Sequence, residues 1–165
     1  MAFCENSVPW LYVLDRHFTW KSGLEINEDV AFKDKTGVIR LVLEKGGRVT
    51  VMRGYAWNGC SPKYCLFDIL LGPPEGVVDS RTGRPKTFHA SLVHDALYQF
   101  VPDGLPLTRR QADRCFLGLL EETGFRPRIL YYLAVRALGW LVRRGTRYVR
   151  KTVGTKVLLE PEIAQ

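Results

Sequence analysis

A chain of 165 residues, 46% hydrophobic and 25% charged, is long enough to bury a core without disulfide staples and reads as one soluble domain, residues 1–165. The opening Met1-Ala2-Phe3-Cys4-Glu5-Asn6 has no basic patch leading into an apolar run, so no signal peptide is expected. The longest apolar run, Ile129–Val142, is too short, and with Arg136 inside it too charged, to be a transmembrane segment. The net charge of +7 is uneven: residues 126–156 hold nine Lys/Arg and no Asp or Glu, against 15 basic and 17 acidic residues elsewhere.

The first part, 1–62, is expected to be mainly β. Val8–Leu14 is apolar and aromatic, and Val38–Leu43 and Arg48–Met52 flank Gly46-Gly47, a two-residue turn signal that makes them a hairpin. Gly54–Pro62 is too rich in glycine and turn formers for regular structure and reads as an ordered loop. Residues 63–86, with glycines and prolines crowded into Gly72–Gly76 and then Gly83 and Pro85, read as a connector. From 87 to 151 the pattern is helical. Phe88, Leu92, Val93, Ala96, Leu97 and Phe100 recur at helical spacing until Pro102-Asp103-Gly104. Thr108 and Gln111 form a capping-box start for a helix ending near Gly124, and a last helix runs from about Pro127 to Arg150. Residues 152–165 read as a tail. The expected class is α+β: an N-terminal antiparallel sheet packed with about three C-terminal helices, the first two an antiparallel pair.

Chemistry concentrates at His94-Asp95-Ala96-Leu97-Tyr98 and at Asp113 on the next helix. His94 shares a face with Ala90, Ser91, Leu97, Tyr98 and Val101, so it points toward apolar neighbours. Asp113 lies on the inward stripe with Phe116, Leu117 and Leu120, where a carboxylate needs hydrogen-bond donors. The short linker pairs the helices, so Asp113 can meet His94, with Tyr98 as a second donor. A carboxylate-oriented imidazole takes a proton from water near neutral pH. Asp95 is rotated about 100° from His94 and faces a neighbouring loop, the best candidate being Gly54–Pro62. Asp95 with backbone carbonyls from Trp57, Asn58, Gly59 and Cys60 is a hard-oxygen set suited to calcium.

This pattern resembles the phospholipase A2 enzymes of the small bacterial type, which carry His-Asp-x-x-Tyr on one helix and the dyad aspartate on its antiparallel partner. The resemblance implies His94 as base, Asp95 as calcium ligand, Asp113 as dyad partner and Tyr98 as its hydrogen-bond donor. The paired cysteines that staple those enzymes are missing here. A longer stretch, roughly 50–140, is similar to the phage and prophage family known as domain of unknown function 1353. Its signals are Trp57-Asn58-Gly59-Cys60-Ser61-Pro62, Ala90–Tyr98, Arg110-Gln111-Ala112-Asp113 and Ala134-Val135-Arg136. Members often show Trp-Asp-Gly-Ala-Ser at the loop; here Asn58 replaces that Asp and Cys60 the Ala. Membership implies a phage or prophage origin, in the cytoplasm of an infected bacterium or associated with the virion.

Other readings stand beside these. His94, Asp113 and Tyr98 can be a buried network that fixes helix pairing, and Asp95 a helix cap or an ion-pair partner of Arg109 or Arg110. Cys60 with His94 and Asp113 would make a thiol hydrolase, or be a small buried residue. Cys4, Cys65 and Cys115 look structural or incidental, with no CxxC or zinc-ribbon spacing, and reduced thiols are the default reading. His17 and His89 have no partners at ligand spacing. Arg143, Arg144, Arg147, Arg150 and Lys151 follow the apolar part of the last helix. They read as a solvated cationic end, as an anchor on anionic lipid with Trp140, Leu141 and Val142, or as a surface for an acidic host or virion protein; nucleic acid ranks lower because no recognised motif accompanies the charge.

Overall fold

The computed structural model describes residues 12–60, 64–66, 69–71, 77–145 and 154–158, with only the backbone path for 64–66, 69–71, 138–145 and 154–158. In chain order the strands are β1 (Tyr12–Val13), β2 (Phe18–Lys21), β3 (Val30–Asp34), β4 (Ile39–Glu44), β5 (Arg48–Val51), β6 (Ala56–Trp57), β7 (Tyr64–Leu66) and β8 (Ile69–Leu71). Helices α1 (Phe88–Phe100), α2 (Arg109–Glu122) and α3 (Arg128–Gly145) follow, then strand β9 (Gly154–Leu158). The chain is an α+β protein.

Alternation builds the main sheet. Leu41 and Leu43 of β4 and Val49 and Val51 of β5 point inward and are fully buried, as period-two patterning requires. The two strands pair antiparallel, Leu43 opposite Val49 and Glu44 opposite Arg48, so the turn between them is Lys45-Gly46-Gly47, one residue longer than the glycine pair alone suggests. Gly47 has φ +86°, and a Cβ there would lie 2.5 Å from the Leu24 carbonyl oxygen; only glycine fits. The full sheet has the order β2-β5-β4-β3-β9. Its last strand corrects the reading of 152–165 as a tail. Gly154–Leu158 pairs antiparallel along the whole of β3, so Val30, Ala31 and Phe32, all buried, lie between two neighbours rather than on an edge.

The 63–86 connector is also more ordered than expected: β7 and β8 form a small hairpin, and Val78 bridges Pro85. Likewise the Gly54–Pro62 loop contains β6, which pairs with β1, Trp57 opposite Tyr12. Residues 1–11, Ser61, Pro62 and Gly72–Gly76 lie outside the described residues, so the Val8–Leu14 expectation is met only where β1 falls within it.

α1 buries Leu92, Val93, Ala96, Leu97 and Phe100 completely, and Phe100 reaches the sheet at Phe32, ring centroids 5.3 Å apart. After Phe100 a short 3-10 turn, Val101–Asp103, and Gly104 at φ +84° reverse the chain. Thr108 then caps α2 reciprocally with Gln111, as the capping box predicts. Tyr98 meets Asp113 while His94 meets Phe116, so α2 descends as α1 rises: the pair is antiparallel. α2 also touches the sheet edge, where Trp20 Nε1 donates to Glu122 at 2.8 Å. α3 packs on α2; its Tyr131 and Val135 are buried, Tyr131 edge-on to Phe125. The described part of α3 stops at Gly145.

Candidate functional site

Helical spacing puts His94 and Tyr98 on one face of α1, over the buried stripe of α2. His94 Nε2 lies 2.9 Å from Asp113 Oδ1, and the Tyr98 hydroxyl donates to the same oxygen at 2.6 Å. Arg136 of α3 donates from Nη1 to Asp113 Oδ2 at 2.9 Å. One carboxylate that is 1% exposed therefore collects donors from two other helices. This satisfies the requirement that a buried charge be paired and hydrogen-bonded. The imidazole is clamped between the Tyr98 ring, 4.2 Å away, and Phe116, 5.3 Å away.

Burial pushes the Asp113 carboxyl up, but hydrogen bonds from His94, Tyr98 and Arg136 outweigh it and hold it below the usual carboxylate range. An ionised Asp113 only accepts, so in neutral His94 the proton sits on Nε2 and the lone pair on Nδ1. Nδ1 points toward Asp95, whose Oδ1 is 3.9 Å away. Burial lowers the His94 pKa; the carboxylates of Asp113 and Asp95 more than reverse this, leaving it above the ordinary 6.5. Burial and the Asp113 bond raise the Tyr98 phenol, which stays protonated as a donor.

The loop expected beside Asp95 is tied to α1 at two points. Tyr55 donates to Gln99 Oε1 at 2.9 Å, and Trp57 Nε1 donates to Ser91 Oγ at 3.2 Å. Ser91, Asp95 and Gln99 are four residues apart, a single helix stripe, so Asp95 lies midway between the two ties. The Tyr55 phenol feels it: burial, then the Asp95 charge, raises its pKa. Trp57 is fully buried against Tyr12 and Phe88, Gly59 is buried at φ +71°, and Cys60 is buried. Among the described residues Asn58 Oδ1 is buried without a hydrogen-bond partner, an orphaned acceptor of the kind a cation or donor ligand would satisfy. Among the described residues no three His, Cys, Asp or Glu side chains group as a ligand set, so a cation here would depend on Asp95 together with amide and backbone oxygens.

His94, Asp113 and Tyr98 are thus brought together, with Asp95 beside the imidazole. The side chains of Arg143 and Arg144, with those of Trp140, Leu141 and Val142, lie outside the described residues, as do Arg147, Arg150, Lys151 and Cys4 and the side chain of Cys65. His17 Nδ1 accepts the Arg53 amide at 3.0 Å. His89, which the sequence leaves without a partner, stacks on Phe18 with ring centroids 4.2 Å apart, and burial lowers its pKa. Burial pushes the Cys115 thiol up to about 12, an unreactive thiol. The residue that sequence reasoning missed is Arg136. Its signal was a lone charge inside an apolar helical run, which marks either a surface position or a buried partner. Comparison with protein-family models, with curated proteins and with solved structures finds no match to this chain.

Proposed function

We propose that the protein is a phage-type, metal-assisted ester hydrolase with a His–Asp dyad like that of phospholipase A2, and that a phospholipid is its substrate class. One observation carries the reading: His94 gives Nε2 to a buried, ionised Asp113 at 2.9 Å and turns Nδ1 toward Asp95. That is the arrangement of a general base, with a fixed tautomer and its lone pair directed away from the orienting carboxylate. Nδ1 takes a proton from water as the water oxygen bonds to the ester carbonyl carbon. The same proton passes to the leaving alkoxide when the carbon–oxygen bond breaks, which restores neutral His94. Tyr98 and Arg136 hold Asp113 in place throughout.

Asp95, the Asn58 amide oxygen and the carbonyls of Trp57, Asn58, Gly59 and Cys60 are the groups that would hold the metal, and such an oxygen-only set suits calcium better than a softer ion. Bound there, calcium would polarise the ester carbonyl. The phage character, with a place in the infected cytoplasm or on the virion, rests on the resemblance of Trp57–Pro62, Ala90–Tyr98 and Arg110–Asp113 to the phage family.

The test is release of labelled fatty acid from diacyl phospholipid vesicles, with calcium or with chelator, by the native chain and by a folded His94→Ala variant. Calcium-dependent release that falls at least a hundredfold in the variant is the expected result. No release from phospholipid or from short soluble esters would overturn the reading.

A second reading is a non-catalytic phage accessory protein that binds an acidic host or virion partner through its basic C-terminal helix. It is favoured by the saturation of Asp113, whose three donors tie α1, α2 and α3 together without any ligand. It expects His94→Gln to be tolerated, provided the amide keeps Asp113 paired. A third, a Cys60–His94–Asp113 thiol hydrolase, expects Cys60→Ala to abolish turnover.

A further inference from the structure

Among the described residues, α3 turns two apolar faces outward from its axis, and only one is covered. Tyr131 and Val135 are buried, whereas Ile129, Leu130 and Leu133 are 51%, 68% and 56% exposed. Among the helical residues whose side chains are described, these three are the only large hydrophobics left so open. They follow one another at helical spacing, with exposed Arg126 at one end and Arg136, 42% exposed, at the other. Three aliphatic side chains in water at adjacent positions are unlike the scattered exposure of an ordinary surface.

Charge decides what covers them. Arg126 and Arg136 flank the stripe and residues 126–156 include no Asp or Glu, so a second copy of the same face would bring like charges together. An anionic surface is the complement. The stripe is aliphatic, and a bilayer accepts such side chains without a preformed groove while lipid phosphates take Arg126 and the cations that follow in the sequence. No described helix is long and apolar enough to cross a membrane, so contact would be in the interface plane.

We infer that Ile129, Leu130 and Leu133 of α3 form a docking surface for an anionic phospholipid bilayer. Arg136, one turn beyond Leu133, joins this surface to Asp113, so docking would bring the dyad to the lipid. This last point rests on the hydrolase reading; the docking itself does not.

The test is flotation of the full chain with phosphatidylcholine vesicles, with and without phosphatidylglycerol, at low and high salt. The expected result is binding that needs the anionic lipid, weakens with salt and falls on the order of tenfold or more in Leu130→Gln/Leu133→Gln. Both positions are solvent-exposed, so the variant should keep the native circular dichroism and melting temperature. Equal flotation of native chain and folded variant, or no flotation at all, would overturn the inference. So would a native dimer, seen by light scattering, that the variant converts to monomer without any vesicle binding. His94→Ala should float like the native chain. Flotation without hydrolysis would remove the hydrolase reading alone, and hydrolysis of soluble esters without flotation would remove the docking surface alone.

Discussion

The His94 proton is the most direct reporter on the site. Its pKa is raised in the folded chain, although burial alone would lower it, because the Asp113 and Asp95 carboxylates favour the imidazolium. The pair therefore contributes stability that is fully present below the unfolded value near 6.5 and is lost as pH rises through the folded value. In metal-free protein the His94 ring protons, followed by NMR, should titrate above 6.5, and Asp113→Asn should move that midpoint down. A midpoint that did not move would mean that the imidazole is not coupled to Asp113 in solution. Asp34 has the opposite sign. The Thr36 hydroxyl, with Arg40 and two backbone amides, outweighs burial and holds its carboxyl at about 2. Its contribution is present above about 4 and lost as the pH falls toward 2, so Asp34→Asn should flatten the acid limb of a melting-temperature profile.

At the scale of elements, what could be read in advance was local. The α1 stripe, the Thr108–Gln111 box and the β4–β5 hairpin each declare themselves through spacing within a dozen residues. His94, Tyr98 and Asp113 follow from pairing two helices across a short linker. What escaped is non-local. Strand β2 alternates, Phe18 and Trp20 against Thr19 and Lys21, but over only four residues, and β3 lacks alternation: Val30, Ala31 and Phe32 are buried consecutively. β9 is defined only by a partner more than a hundred residues earlier. Arg136 finds Asp113 only because α3 packs beside α2. Turns carry their own test. Gly47→Ala should cost about 2 kcal/mol or more in urea unfolding, from the left-handed φ and the clash with Leu24. A cost within a few tenths of a kcal/mol would show that the turn relaxes freely.

Over the whole molecule, the sheet and the helical layer are both closed by the same third of the chain. β9 covers β3, and α3 supplies Arg136 to the Asp113 carboxylate. Synthesis runs from the N-terminus, so a growing chain makes His94, Tyr98 and Asp113 before the third donor exists. Until α3 emerges, the Asp113 carboxylate has no guanidinium beside it and β3 has an open edge. Such a nascent chain would hold the elements of the dyad without the Arg136 hydrogen bond that helps keep Asp113 ionised. The third donor to Asp113 and the strand that covers β3 are thus both made after the dyad itself.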